Sequence, residues 1–262
     1  HSSPPDAMNG PQTPWDAPLC HALRRRIGRA IGRYRMITEG DRVAVGLSGG
    51  KDSLLLLHAL SDLRRRSPVR FDLAACTVAL TGMDVSPLRD YCAARGVPYV
   101  VLEHPTLEII ESRGELSPCS FCANMRRGLL SSWARGNGFN RLALGHHLDD
   151  AVETFFMNLL RAGRARSFQP TVHMTRMDVT VIRPLIASPE AAIVDEVRRL
   201  ALPVLERVCP FAGGTERQRV KELLQDLRRD TPDLFANIVN ALENLSDTDR
   251  WTTAAEAEKE DI

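Results

Sequence analysis

The 262-residue sequence predicts an α/β fold: a doubly wound parallel sheet preceded by a basic helix and followed by further helices. Three observations predict it. Short apolar strand patterns alternate with helical ones through most of the chain, which calls for parallel strands covered on both faces. A glycine turn joins the first strand directly to a helix, and apolar residues make up 44% of the chain, enough for a sizeable core. Residues 1–18 hold five prolines and few large apolar side chains, and read as a disordered extension. Residues 19–245 are expected to form the folded domain and residues 246–262 an acidic tail. From Glu243 onward there are seven acids and two bases, as in a solvated end.

The elements follow in order. Leu19, Leu23, Ile27, Ile31 and Tyr34 recur at helical spacing, with Arg24, Arg25, Arg26, Arg29, Arg33 and Arg35 on the remaining surface, so a basic amphipathic helix opens the domain. Residues 42–47 read as a short buried strand, 53–66 as a helix and 71–80 as the second strand. Ser86-Pro87 gives an N-cap and a proline at the first helical position, opening a helix that runs to Gly96. Strands are expected at 99–102, 141–145 and 179–183. Helices are expected from Cys122 to about residue 135 and over 149–161, with two more from 216 to 243 broken near Thr231-Pro232. The sequence contains no internal repeat.

Charge and cysteine content narrow the functional classes. With 34 Lys plus Arg against 33 Asp plus Glu, the net charge is +1, so an argument for nucleic acid must rest on local patches. No apolar run is long enough to span a membrane and no secretory signal opens the chain; a soluble, cytoplasmic protein without membrane association is expected. Six scattered cysteines do not make a disulfide scaffold, whereas Cys119-x-x-Cys122 points to metal or redox chemistry in a reducing compartment.

The strand at 43–47 runs into Ser48-Gly49-Gly50-Lys51-Asp52-Ser53 and then into a leucine-rich helix. Glycines let backbone N–H groups approach a ligand, and the helix start adds partial positive charge, so phosphate is the natural guest. The spacing is neither that of a Walker A loop nor that of a dinucleotide fingerprint. The hexapeptide resembles the pyrophosphate loop of the PP-loop ATP pyrophosphatases, enzymes that adenylate a carbonyl oxygen and release pyrophosphate.

Cys119 and Cys122 are expected just ahead of a helix whose first turns carry Asn124, Arg126 and Arg127, a setting that lowers thiol pKa. Cys209 supplies a third thiol. Three thiolates on an iron–sulfur cluster leave one iron open for sulfide or substrate, whereas zinc would take the three with a histidine such as His104 or His173; spacing alone leaves both open. Cys20, Cys76 and Cys92 read as buried filler.

Taken together, Cys119-x-x-Cys122, Arg126-Arg127-Gly128, Gly145-His146-His147-Leu148-Asp149-Asp150, Ile182-Arg183-Pro184-Leu185 and the late Cys209 resemble the tRNA 2-thiocytidine synthetases, the TtcA family. The likeness spans residues 19–235. It implies a 4Fe-4S cluster on Cys119, Cys122 and Cys209, with ATP and Mg2+ as further cofactors. It also implies a tRNA substrate, a sulfur donor system such as a cysteine desulfurase, and a homodimer. Ser48, Gly49, Gly50, Lys51, Asp52, Ser53 and Gly145 match the ATP site. Lys51, Arg126, Asp149 and Asp150 are the expected catalytic groups: the cations offset charge on transferred phosphate, and the carboxylates hold magnesium or move a proton. The chain departs from the family at Ala79, where an acid is usual with Asp84 the next acid available, and at Ala212, where a second late cysteine is common.

Arg161, Arg164 and Arg166 lie in an acid-free segment that suits phosphate-backbone contacts, as does the N-terminal arginine helix. The expected function is ATP-dependent formation of 2-thiocytidine in a tRNA anticodon loop through an adenylated base. The alternatives are adenylation of another nucleobase or amide, and a nucleotide-binding redox module without turnover.

Overall fold

The structure is a computed structural model that describes residues 13–113, 118–206 and 216–244. They divide into two compact units, within His1–Leu148 and Gln169–Gly213 for the first and within Asp149–Phe168 and Gly214–Ile262 for the second.

The first unit opens with a short 3-10 turn, Pro14–Asp16, and helix α1, His21–Arg33. Leu23, Ile27 and Ala30 form the buried stripe of α1, as its spacing requires. There follow β1 (Arg42–Gly46), α2 (Lys51–Arg66), β2 (Asp72–Ala79), α3 (Ser86–Arg95), β3 (Tyr99–Glu103), α4 (Thr106–Arg113), α5 (Pro118–Gly136) and β4 (Arg141–Ala143). After the excursion of α6 (Leu148–Ala162), the unit resumes with β5 (Thr171–Met174), β6 (Val179–Ile182) and α7 (Glu190–Arg199). Helices α8 (Glu216–Asp230) and α9 (Leu234–Glu243) complete the described chain.

Among the described residues the strands form one six-stranded sheet in the order β3-β2-β1-β4-β6-β5. The doubly wound α/β reading holds, with one correction: β5 pairs antiparallel with β6 at the sheet edge, so the sheet is mixed. Strand β5 hid in the sequence because its Thr-Val-His-Met is half exposed, lacking the continuous apolar signal of a central strand. Helices α4 and α7 also lie outside the sequence expectation. Helix α5 begins at Pro118, so Cys119 and Cys122 lie within it and not ahead of it.

Both sheet faces are covered. Ala44, Ala74, Cys76, Val78, Leu142, Val179 and Val181 point to one side, where Leu130 and Ala134 of α5 pack with Phe139. The intervening positions, Val43 and Val45 among them, point to the other, where α2 packs on the strands and α1 and α7 pack on α2. Period-two alternation within wholly buried strands is what a two-faced core demands.

In the second unit, Val220 and Leu224 of α8 and Phe235 and Ile238 of α9 are buried. The Arg228 guanidinium lies 4.6 Å above the Phe235 ring. The break between α8 and α9 falls at Thr231-Pro232, since proline disfavours helical backbone in the residue before it.

Candidate active site

The loop between β1 and α2 is fixed by its own hydroxyls. Ser48 N–H donates to Ser53 Oγ at 3.1 Å, and Gly50 N–H donates to Ser48 Oγ at 3.3 Å. Ser53 Oγ spends its proton on the Gly50 carbonyl at 3.0 Å, so Ser48 supplies the proton of the 3.0 Å Ser48–Ser53 hydroxyl contact. Ser53 is buried and is the hub of the turn. Gly49 has φ +82°, and a Cβ there would come within 2.8 Å of Leu205. Leu205 N–H in turn donates to the Gly49 carbonyl at 2.9 Å. Glycine is therefore required on two counts, backbone hand and space. Gly50 is the N-cap of α2 and has no side chain to occupy the first-turn N–H groups, which leaves the helix start open to an anion.

Lys51 lies across this helix start. Its ammonium is 2.8 and 3.0 Å from the two carboxylate oxygens of Asp52 and 3.1 Å from Glu190 Oε1. Burial opposes the charged form, but Asp52 and Glu190 outweigh it and raise the Lys51 pKa above its ordinary value. Buried His147 places Nε2 3.7 Å from Asp52 Oδ1. Gly145 packs directly on the α2 backbone: a Cβ there would lie 3.0 Å from both Asp52 C and Ser53 N. The glycine thus lets the chain after β4 abut the turn at Ser48–Ser53.

Below the loop, Thr77 Oγ1 donates to the Leu47 carbonyl at 2.6 Å and accepts from Tyr99 OH at 2.8 Å. This buried relay from β3 through β2 sets the exit angle of β1. Ala79 ends β2 buried, and Asp84 accepts a hydrogen bond from Ser86 N–H at 2.9 Å, which holds its carboxyl below the usual range and ties it to the start of α3.

The cysteines that the sequence singles out are described in part. Cys119 and Cys122 are the second and fifth residues of α5. Cys209 lies outside the described residues, and among the described residues no group of three His, Cys, Asp or Glu converges on a metal position. Burial pushes the Cys76 and Cys92 thiols up to about 12, so these two are filler and not ligands. Cys20 is half-buried at the N-cap of α1. On α5, Arg126 Nε is buried with no hydrogen-bond partner among the described residues. Arg183 donates to His146 Nδ1 at 3.3 Å and to the Gln169 carbonyl at 2.6 Å. Burial, helped by Arg127, brings the Arg183 pKa down to about 10, which leaves it a cation at neutral pH. A His146 that accepts at Nδ1 carries its proton on Nε2.

Asp149 and Asp150 belong to the second unit, in the first turn of α6, where negative charge complements the helix dipole. Arg217 of α8 donates to Asp150 Oδ1 at 3.0 Å and to Glu153 Oε2 at 3.1 Å. Glu153 is buried, and that burial raises its pKa against the pull of Arg217. Arg161 pairs with Glu216, while Arg164 and Arg166 are exposed in the turn after α6.

Glu190, Thr77 and Leu205 are the residues sequence reasoning missed. Ser188-Pro189-Glu190 repeats the Ser-Pro helix-start signal of residues 86–87, and reading it would have placed α7 and brought Glu190 into view.

Comparisons with known proteins converge. A family model described as a PP-loop domain matches residues 20–206. A tRNA-cytidine(32) 2-sulfurtransferase of Pelobacter propionicus is 39% identical over 236 residues, covering 88% of each chain. A protein of the same name from Alkalilimnicola ehrlichii is 41% identical over 229 residues, 85% of this chain and 73% of its own. Among solved structures, the U34-tRNA thiolase NcsA of Methanococcus maripaludis with its [4Fe-4S] cluster superposes with a TM-score of 0.70 at 26% identity, over 86% of this chain and 77% of that one.

Proposed function

Because the chain belongs to the tRNA-cytidine 2-sulfurtransferase (TtcA) family of PP-loop enzymes, we propose that it forms 2-thiocytidine in a tRNA anticodon loop at the expense of ATP. The observation that carries this reading is the turn from Ser48 to Ser53, closed on Leu205 and Gly145, with Lys51 across the first turn of α2.

In this reading the N–H groups of the turn and of the α2 start bind the pyrophosphate portion of ATP. The C2 carbonyl oxygen of the cytidine attacks the α-phosphorus, the bond to the bridging oxygen breaks, and pyrophosphate leaves with the electron pair. Lys51 and Arg126 offset the negative charge that develops on the phosphates. Sulfide then adds at C2, and the C2–O bond breaks to release AMP. Asp149 and Asp150 would hold Mg2+, which would supply charge neutralisation, or move a proton. Cys119, Cys122 and Cys209 would hold a 4Fe-4S cluster, which would supply iron–sulfur chemistry for handling sulfide. Arg161, Arg164 and Arg166 contact the tRNA backbone, and an anticodon-loop base suits the site because it is already unpaired.

The sulfur comes from a donor system such as a cysteine desulfurase, the molecule works as a homodimer, and the reaction takes place in the cytoplasm. Among the described residues no helix is long and apolar enough to cross a membrane. The folded domain is taken to begin before residue 19, because Pro14–Asp16 forms a 3-10 turn and Trp15 Nε1 donates to the Ala201 carbonyl at 3.0 Å, and to run to residue 245.

The test is reconstitution. Anaerobic protein with rebuilt cluster, ATP, Mg2+, sulfide and unmodified tRNA is expected to yield 2-thiocytidine by nucleoside mass analysis, with AMP and pyrophosphate in equal amounts. ADP and phosphate as products, or adenylation of another acceptor with no cytidine thiolated, would overturn the reading.

A further inference from the structure

Between Ala17 and Thr38 the chain carries six arginines and no acid. Helix α1 sorts them: Leu23, Ile27 and Ala30 are buried, while Arg25, Arg26, Arg29 and Arg33 are exposed. Arg25, Arg29 and Arg33 stand four residues apart, a stripe that advances about 6 Å per step. Arg65 and Arg66, at the end of α2 against which α1 packs, are also exposed. Asp62 answers only part of this charge: it is buried, 3.2 Å from Arg66 and 4.0 Å from Arg24. Among the described residues, Arg25, Arg26, Arg29 and Arg35 make no ion pair.

The end of α1 adds an independent observation. Arg35 N–H donates to the Gly32 carbonyl at 3.2 Å and Met36 N–H to the Ile31 carbonyl at 2.9 Å, the paired bonds of a Schellman stop. The residue at the turn, Arg35, has φ +46°. That position favours glycine, so the fold tolerates backbone strain to keep a guanidinium at the end of the stripe. Tyr34, beside it, accepts a hydrogen bond from Thr171 Oγ1 at 3.3 Å. Thr171 pairs with Ile182, whose carbonyl accepts from Leu144, next to Gly145, which packs on the backbone of Asp52 and Ser53. The stripe is thereby anchored, within one unit, to the strands that carry the site.

We propose that the exposed arginines of α1, continued by Arg35, Arg65 and Arg66, form a docking track for the phosphate backbone of the substrate tRNA, separate from the Arg161–Arg166 segment. The inference rests on the reading of tRNA as substrate. Arginine presents a planar fork of donors that suits phosphate. A basic amphipathic helix also suits an anionic membrane, but the apolar face needed for insertion is already buried in the core. RNA is therefore the partner that fits.

The experiment uses the whole protein with the triple variant Arg25→Gln, Arg29→Gln, Arg33→Gln. Binding of unmodified tRNA is measured between 50 and 200 mM salt, a window chosen for roughly that range of counterion response. The triple variant is expected to bind all tRNAs about tenfold or more weakly, and its log-affinity-versus-log-salt slope to fall by about 2. ATP affinity without tRNA should stay at the wild-type value, reporting an intact fold. Arg35→Gly should raise the thermal midpoint while weakening tRNA binding, a divergence that a purely structural residue would not give. Unchanged affinity and slope in the triple variant, while the wild type makes 2-thiocytidine, would overturn the track and leave the proposed function standing. Arginine-dependent tRNA binding by a wild type that thiolates no cytidine would support the track and overturn the function. Loss of binding to anionic lipid vesicles in the triple variant, with tRNA binding unchanged, would assign the face to a membrane and overturn the track.

Discussion

Lys51 Nζ and Glu190 Oε1 stand 3.1 Å apart, the first residue of α2 held by the first residue of α7. Two helix starts meet here, each with partial positive charge, and a lysine between them is stable because Asp52 and Glu190 neutralise it. The clamp keeps the ammonium over the turn instead of extended into solvent.

Glu190→Gln is therefore expected to lower the rate of tRNA-dependent pyrophosphate release about tenfold, with little change in fold stability, since a half-exposed pair contributes about 1 kcal/mol or less. Glu190→Asp should recover part of the rate. Steady-state kinetics on both variants check this; a glutamine variant with wild-type kinetics would show that Asp52 alone places the lysine.

Gly49→Ala meets both a left-handed backbone and the Leu205 side chain. The backbone term costs about 1–2 kcal/mol and the overpacking about 1–3 kcal/mol. ATP binding should be lost. Adding Leu205→Ala should relieve only the steric part, so chemical denaturation of the double variant is expected to recover some stability and not all of it.

His58 is wholly buried, bonded to Tyr91 OH at 2.9 Å and to the Ala17 carbonyl at 3.0 Å. Burial first, then Arg95, lowers its pKa from 6.5 to about 4 against the opposing pull of the Ala17 carbonyl, Asp62 and Glu196. A folded-state pKa below the unfolded one means the unfolded chain takes up a proton first as pH falls. Stability is full above pH 6.5 and is lost progressively down to about pH 4, by about 3 kcal/mol in all. His58→Gln should flatten that part of the stability–pH curve while lowering stability at pH 8. An equal slope in both proteins between those pH values would remove His58 as its source.

Anaerobic protein is expected to be brown and to lose colour in air. Cys119→Ser, Cys122→Ser or Cys209→Ser should each remove most of the iron, whereas Cys76→Ala and Cys92→Ala should keep it, because those thiols are held protonated in the core. Metal analysis checks this; stoichiometric zinc with no iron would contradict the cluster assignment.

The phosphate turn, the two α5 cysteines and the arginine helix are all legible in the sequence because each is a local pattern. Glycine spacing, an i,i+3 thiol pair and a helical arginine stripe need no knowledge of distant residues. Local periodicity likewise places β1, β2, α2 and α3, whose apolar runs are continuous and whose ends carry glycine or proline. It fails at β5, a half-exposed edge strand, and the direction of a strand pair is no property of either strand alone.

What the sequence by itself determined is the chemistry: an anion-binding turn, thiols at a helix start and basic surfaces on a nearly neutral chain. Tertiary structure alone decided how that chemistry is held. Glu190 reaches Lys51, Leu205 closes on Gly49, and Gly145 rests on the backbone of Asp52 only once α7, the segment after it and β4 are brought to the start of α2. Such contacts join residues far apart in the chain, and their geometry is set by packing on a shared sheet, which periodicity does not encode.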